Sequence, residues 1–131
     1  MAEMKKPRPK HLALHEIRLP VAGYASILHR VSGAGLFLML PLLIWLFQIS
    51  HDSTQQGSAL FAAVTGNILV KLVLLGLLWA FLHHFCMGIR ILLIDIHVGV
   101  EKQQAHASAV AVLAVSLTLT LIFGLKLLGA Y

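Results

Sequence analysis

Residues 67–95 read NILVKLVLLGLLWAFLHHFCMGIRILLID. Lys71 and Arg90 bracket an almost wholly apolar run and stand 19 positions apart. At 1.5 Å per residue that is about 28 Å of helix, close to one hydrocarbon thickness. The segment therefore predicts a membrane-spanning helix that meets His83 and His84 before it ends at Asp95, with Lys71 and Arg90 snorkelling to opposite interfaces.

Two further segments have the same character. Val31 to Ile49 contain no charge and give way to the polar stretch HDSTQQG at 51–57. Pro41 inside this run predicts a bend, which membrane helices tolerate when neighbours satisfy the freed carbonyl. Ala107 to Leu125 are again uncharged and close at Lys126. Ser108, Ser116, Thr118 and Thr120 within this segment have hydroxyls that can bond their own carbonyls or a neighbouring helix. Residues 51–65 and 96–106 read as connecting loops. The expectation is a single all-α domain over 1–131, an integral membrane protein with three transmembrane helices. Residues 1–25 form a cytoplasmic N-terminal segment, and the helices run over about 26–50, 66–94 and 106–128.

Composition agrees. Of 131 residues, 59% are hydrophobic and 11% charged, too apolar for a soluble domain that must cover itself with polar groups. No separate soluble catalytic domain fits beside three spans. One cysteine, Cys86, excludes an internal disulfide framework and any zinc site built from several thiolates; it reads as a small buried side chain.

The formal net charge of +5 is concentrated ahead of the first apolar run, at Lys5, Lys6, Arg8, Lys10 and Arg18. Such a cluster suits a cytoplasmic membrane face or an acidic partner there, and no groove-reading motif points to nucleic acid. With no basic residue in 51–65 and Lys102 after Arg90, the N-terminus is cytoplasmic and the C-terminus periplasmic. Pro7 to Pro20 predict an extended or short helical segment along the interface. The basic stretch lacks the short apolar core and cleavage site of a leader, so it is expected to be retained.

Ionisable groups inside a span are costly and often functional. His84 lies six residues from Arg90, about 9 Å inside the boundary. Ala80 and Gly88 fall one turn either side of it and are small, which suits a flat macrocycle bound to the imidazole. The same residues serve as well for a histidine hydrogen-bonded across a helix interface, with Gly88 permitting close packing. His83 points about 100° away and reads as a packing or lipid-interface residue.

A second constellation is SILHRVSG at 26–33. Ser26, His29, Arg30 and Gly33 share one helical face. A hydroxyl beside a guanidinium can bond a carbonyl oxygen, and Arg or His can pair with haem propionates. The ordinary alternative has Arg30 snorkelling to headgroups and Ser26 capping the helix. Asp95 suits a proton on its way to a quinone or, the preferred reading, solvation of a helix end near basic groups; Trp45 and Trp79 suit an interface or the interior.

These residues closely resemble the cytochrome b membrane-anchor subunits of succinate dehydrogenase. The likeness is carried by Arg8-Pro9, then SILHRVS at 26–32, then His84-x3-Gly88-Ile89-Arg90 followed by Asp95, in order and over nearly the whole chain. The resemblance implies that His84 is one axial ligand of haem b. It also implies that Ser26 and Arg30 bind ubiquinone and that His29 and Arg30 lie near the haem propionates. One departure is Ile91, where the family commonly has an aromatic residue or histidine. A bis-histidine haem needs a second imidazole, and the resemblance assigns it to a second small anchor subunit in a shared two-subunit helical bundle. An iron–sulfur subunit and a flavoprotein subunit would dock on the cytoplasmic side, in a bacterial inner membrane. Two other classes are a haem-free structural anchor, which Ile91 favours, and a small proton or solute carrier using Lys71, His84 and Asp95.

Overall fold

The computed structural model describes residues 16–129, and these form four helices: α1 (Val21–Ser50), α2 (Gln55–Gly66), α3 (Ile68–Asp95) and α4 (Lys102–Leu128). The basic residues Lys5, Lys6, Arg8 and Lys10, the Arg8-Pro9 motif and most of the Pro7 to Pro20 segment lie outside the described residues. Helices α1, α3 and α4 are long and apolar enough to cross a membrane. Only 11–22% of the residues in their apolar windows are buried inside the chain, so their leucines, valines and phenylalanines face outward. In a bilayer that is the low-energy arrangement, because a helix satisfies its own backbone and lipid solvates the side chains.

Each boundary has a local cause. α1 starts after Pro20, whose carbonyl accepts from Gly23 N at 2.8 Å, and it continues through Pro41. Because α1 begins at Val21, Ser26 sits in its second turn and cannot cap it. The polar stretch after α1 is not a plain loop. Asp52 Oδ1 accepts from Thr54 N at 2.9 Å, and Thr54 Oγ1 accepts from Gly57 N at 3.0 Å and caps α2. A Cβ on the buried Gly57 would collide with the Asp52 side chain, so the turn requires glycine there. At 12 residues, about 18 Å, α2 is too short to span and packs across the ends of α1 and α3.

Asn67 closes α2 and opens α3. Its N–H donates to Val64 O at 3.3 Å, while its side-chain oxygen accepts from Leu69 N at 2.8 Å. α3 ends where His97 adopts a left-handed φ of 63° and Val98 N returns to Leu93 O at 2.9 Å. α4 begins at Lys102, four residues before the apolar pattern suggests, because the hydrogen-bond ladder continues through the polar KQQAH stretch. It closes on Gly129 at φ 83°, the left-handed position that favours glycine.

The buried core is small and sits where the start of α1, the end of α3 and the start of α4 meet. Ala25, Met87, Ala109 and Val112 form it, with Ile91 and Cys86 packed against it. Ile91, the departure noted in the sequence, is thus occupied with packing inside the chain. Arg90 does not snorkel. It is 8% exposed, its Nε donates to Ser108 Oγ at 2.9 Å, and its Nη2 donates to Ala105 O at 3.0 Å. The guanidinium ties α3 to the first turns of α4.

Candidate functional site

α1 and α3 face each other through their smallest and most polar positions. Gly33 on α1 lets the His84 ring of α3 lie against the helix backbone: a Cβ there would stand 2.7 Å from His84 Cε1. His84 Nδ1 is 3.0 Å from the carbonyl oxygen of His29. A carbonyl only accepts, so Nδ1 carries the proton and donates, and the lone pair is left on Nε2. Ser32 Oγ donates to the same carbonyl at 2.9 Å and lies 3.5 Å from His84 Nδ1. The His29 ring stacks on the His84 ring at 4.1 Å with 14° between planes. One backbone oxygen, one hydroxyl and one aromatic face thus set both the tautomer and the tilt of the imidazole.

His83, about 100° around α3, meets the same helix one turn nearer its start. It is fully buried, and its Nε2 donates to Ala25 O at 3.3 Å. Its ring stacks on Trp79 at 5.3 Å, and among the described residues His83 Nδ1 and Trp79 Nε1 are buried without partners. The two adjacent histidines therefore divide the work. His83 is a helix-packing residue away from lipid, and His84 is half-buried with Nε2 making no hydrogen bond among the described residues.

The residues singled out by spacing are only partly brought together. His29 and Gly33 meet His84 directly. Ser26, one turn toward the start of α1, is half-buried, and Arg30 is exposed; neither is among the groups that hydrogen-bond or stack on the imidazole. Ser32 was missed, although it lies within SILHRVS three residues after His29 and is 4% exposed. Lys71 and Asp95, grouped with His84 in the carrier reading, do not join it. Lys71 lines a cleft some 13 residues of helix away, and Asp95 is exposed at the end of α3.

Among the described residues no group of three or more histidine, cysteine or carboxylate side chains converges. The site offers a metal one donor, Nε2 of His84, in a fixed tautomer backed by a hydrogen bond, the usual support of a ligating histidine. Space beside it is available at Gly88, where an added Cβ meets nothing within 4 Å; Ala80, one turn the other way, is covered. These residues fit a haem held from one side by this chain.

Comparison with known proteins points the same way. A family profile described as succinate dehydrogenase/fumarate reductase transmembrane subunit matches residues 4–123. The succinate dehydrogenase cytochrome b556 subunit of Coxiella burnetii is 34% identical over 93 residues, 71% of this chain and 74% of the relative. The subunit of the same name from Paracoccus denitrificans is 31% identical over 100 residues, 76% and 75% of the two chains. That of Rickettsia felis is 30% identical over 95 residues, 72% and 71%.

Proposed function

The chain belongs to the succinate dehydrogenase/fumarate reductase transmembrane subunit family, and from that premise we propose that it is the cytochrome b anchor of a bacterial succinate:quinone oxidoreductase. The observation that carries this reading is the bond from His84 Nδ1 to the His29 carbonyl at 3.0 Å, which leaves Nε2 as a base facing no partner among the described residues. The names of the relatives, cytochrome b556 subunits, support a haem of b type here.

Haem b, when bound, supplies a one-electron centre whose potential depends on its axial ligands and their hydrogen bonds. His84 would hold the haem iron from this chain through Nε2, and the second imidazole would come from a second small anchor subunit. Donation of Nδ1–H to a carbonyl holds the imidazole in one tautomer and at one tilt. His29 and Arg30 serve the propionates. The Ser26 hydroxyl and the Arg30 guanidinium donate hydrogen bonds to a ubiquinone carbonyl oxygen, and the fixed positive charge favours electron density gathering there. The exposure of Arg30 supports contact with a group outside the chain. This chain does not touch succinate; flavoprotein and iron–sulfur subunits docked on the cytoplasmic side pass electrons to the quinone. The N-terminus lies on that side and the C-terminus in the periplasm.

The test uses the intact complex. His84→Ala removes or shifts the b-type absorption spectrum, and an unchanged spectrum overturns the ligand assignment. In the same preparation, Ser26→Ala or Arg30→Ala lowers quinone reduction about tenfold or more. Succinate oxidation by an artificial acceptor stays near its starting rate. Equal loss of both rates counts against the quinone role.

A further inference from the structure

Away from His84, the far ends of the long helices frame an open cleft of about 720 Å³. Leu43, Leu46 and Phe47 of α1 and Leu74 of α3 form apolar walls, α2 closes one side, and two cations line it: Lys71 from the first turn of α3 and Lys126 from the last turn of α4. Lys71 is 13 residues from His84, about 20 Å along the helix, so this is a separate site. Among the described residues no Asp or Glu lines the cleft. Two lysines lining a cleft of leucines and phenylalanines, without a carboxylate among the lining residues, leave an anion's place open. The first turn of α3 adds the positive end of its helix dipole.

A ligand for such a cleft presents anionic oxygen and an apolar body in one molecule, at the depth where a span meets the interface. We propose that the cleft seats one anionic phospholipid of the surrounding bilayer, its phosphate held by Lys71 and Lys126 and an acyl chain lying on Leu43, Leu46, Phe47 and Leu74. The assignment rests on the membrane-spanning character of the helices and is independent of haem binding.

The intact complex, delipidated and equilibrated with micelles of phosphatidylglycerol or phosphatidylcholine, is examined by native mass spectrometry. The unaltered complex retains phosphatidylglycerol in preference to phosphatidylcholine. Lys71→Gln and Lys126→Gln each reduce that retention about fivefold, the effect of one basic residue at an anionic headgroup, and Lys71→Arg and Lys126→Arg restore it. Equal retention of the two lipids overturns the proposal, and this arm needs no variant to fold. So does undiminished retention in the double glutamine variant, or displacement by inorganic phosphate, which marks a site for charge alone. Retention of no lipid also overturns it, the cleft then being closed by protein.

Discussion

At the end of the bundle that holds Arg90 and His84, polar atoms bond from one long helix to another; at the end that holds Asp52 and α2, they bond within a few residues of themselves. Arg90 reaches Ser108 and Ala105 across α3 and α4, and His83 and His84 reach the carbonyls of Ala25 and His29 across α3 and α1. At the other end Ser50 donates to Phe47 O, Thr54 bonds Asp52 and Gly57, and Asn67 bonds Leu69. The difference teaches where the three long helices are fastened. With lipid on their outer faces, van der Waals packing and interhelical hydrogen bonds replace the hydrophobic drive between helices. Only one end has both, so the other is free to hold a cleft.

Three experiments break or sharpen that contrast. The largest effect is expected at Gly33, because valine there drives a Cβ into the His84 ring. Gly33→Val costs about 3 kcal/mol by overpacking and shifts or removes the haem spectrum, read by thermal unfolding and absorbance of the complex. An unchanged melting temperature and spectrum would show that the two helices are not held at this contact. Next is Arg90→Ala, which removes both interhelical bonds of a buried guanidinium. A loss of about 2 kcal/mol is expected, below the sum of two charged hydrogen bonds because polar bonds within membranes are individually weak. Lys at this position recovers part of the loss, whereas Lys102→Ala, on the exposed start of α4, leaves stability unchanged.

The smallest effect is at Asp52. Its carboxyl is held below 3.8 by the backbone N–H of Thr54 first and by the Thr54 side chain second. A depressed folded pKa means that this group stabilises the turn above its unfolded pKa and ceases to do so as pH falls through the lower folded value. Carboxyl-carbon NMR of the complex should find its midpoint below 3.8, and Thr54→Pro, which removes the backbone donor, should raise it. The α1–α3–α4 contacts should not respond over the same titration; if they do, the two ends are coupled.

The three candidate spans are legible in the sequence because each carries an apolar, charge-free run close to a hydrocarbon thickness or longer, a property that needs no tertiary information. α2 was hidden because QQGSALFAAVTG is neither charged nor continuously apolar, and its start depends on a threonine cap read only once the chain turns at Asp52. Arg90 was legible as a span-end cation but not as an interhelical tie. Snorkelling and clamping place the same residue at the same depth, and only the positions of Ser108 and the Ala105 carbonyl decide between them. His84 stood out through its depth and its small neighbours. Ser32 did not, since a serine within a helix most often bonds its own preceding turn. It does that here too, toward the very carbonyl His84 uses.

That shared oxygen belongs to the peptide unit whose nitrogen is Arg30's own. A rigid plane of six atoms therefore joins the imidazole to the backbone that carries the guanidinium. Rotate that plane by a few degrees and both side chains swing together. A drug or variant that pries at one is felt by the other through one hydrogen bond and the peptide plane behind it.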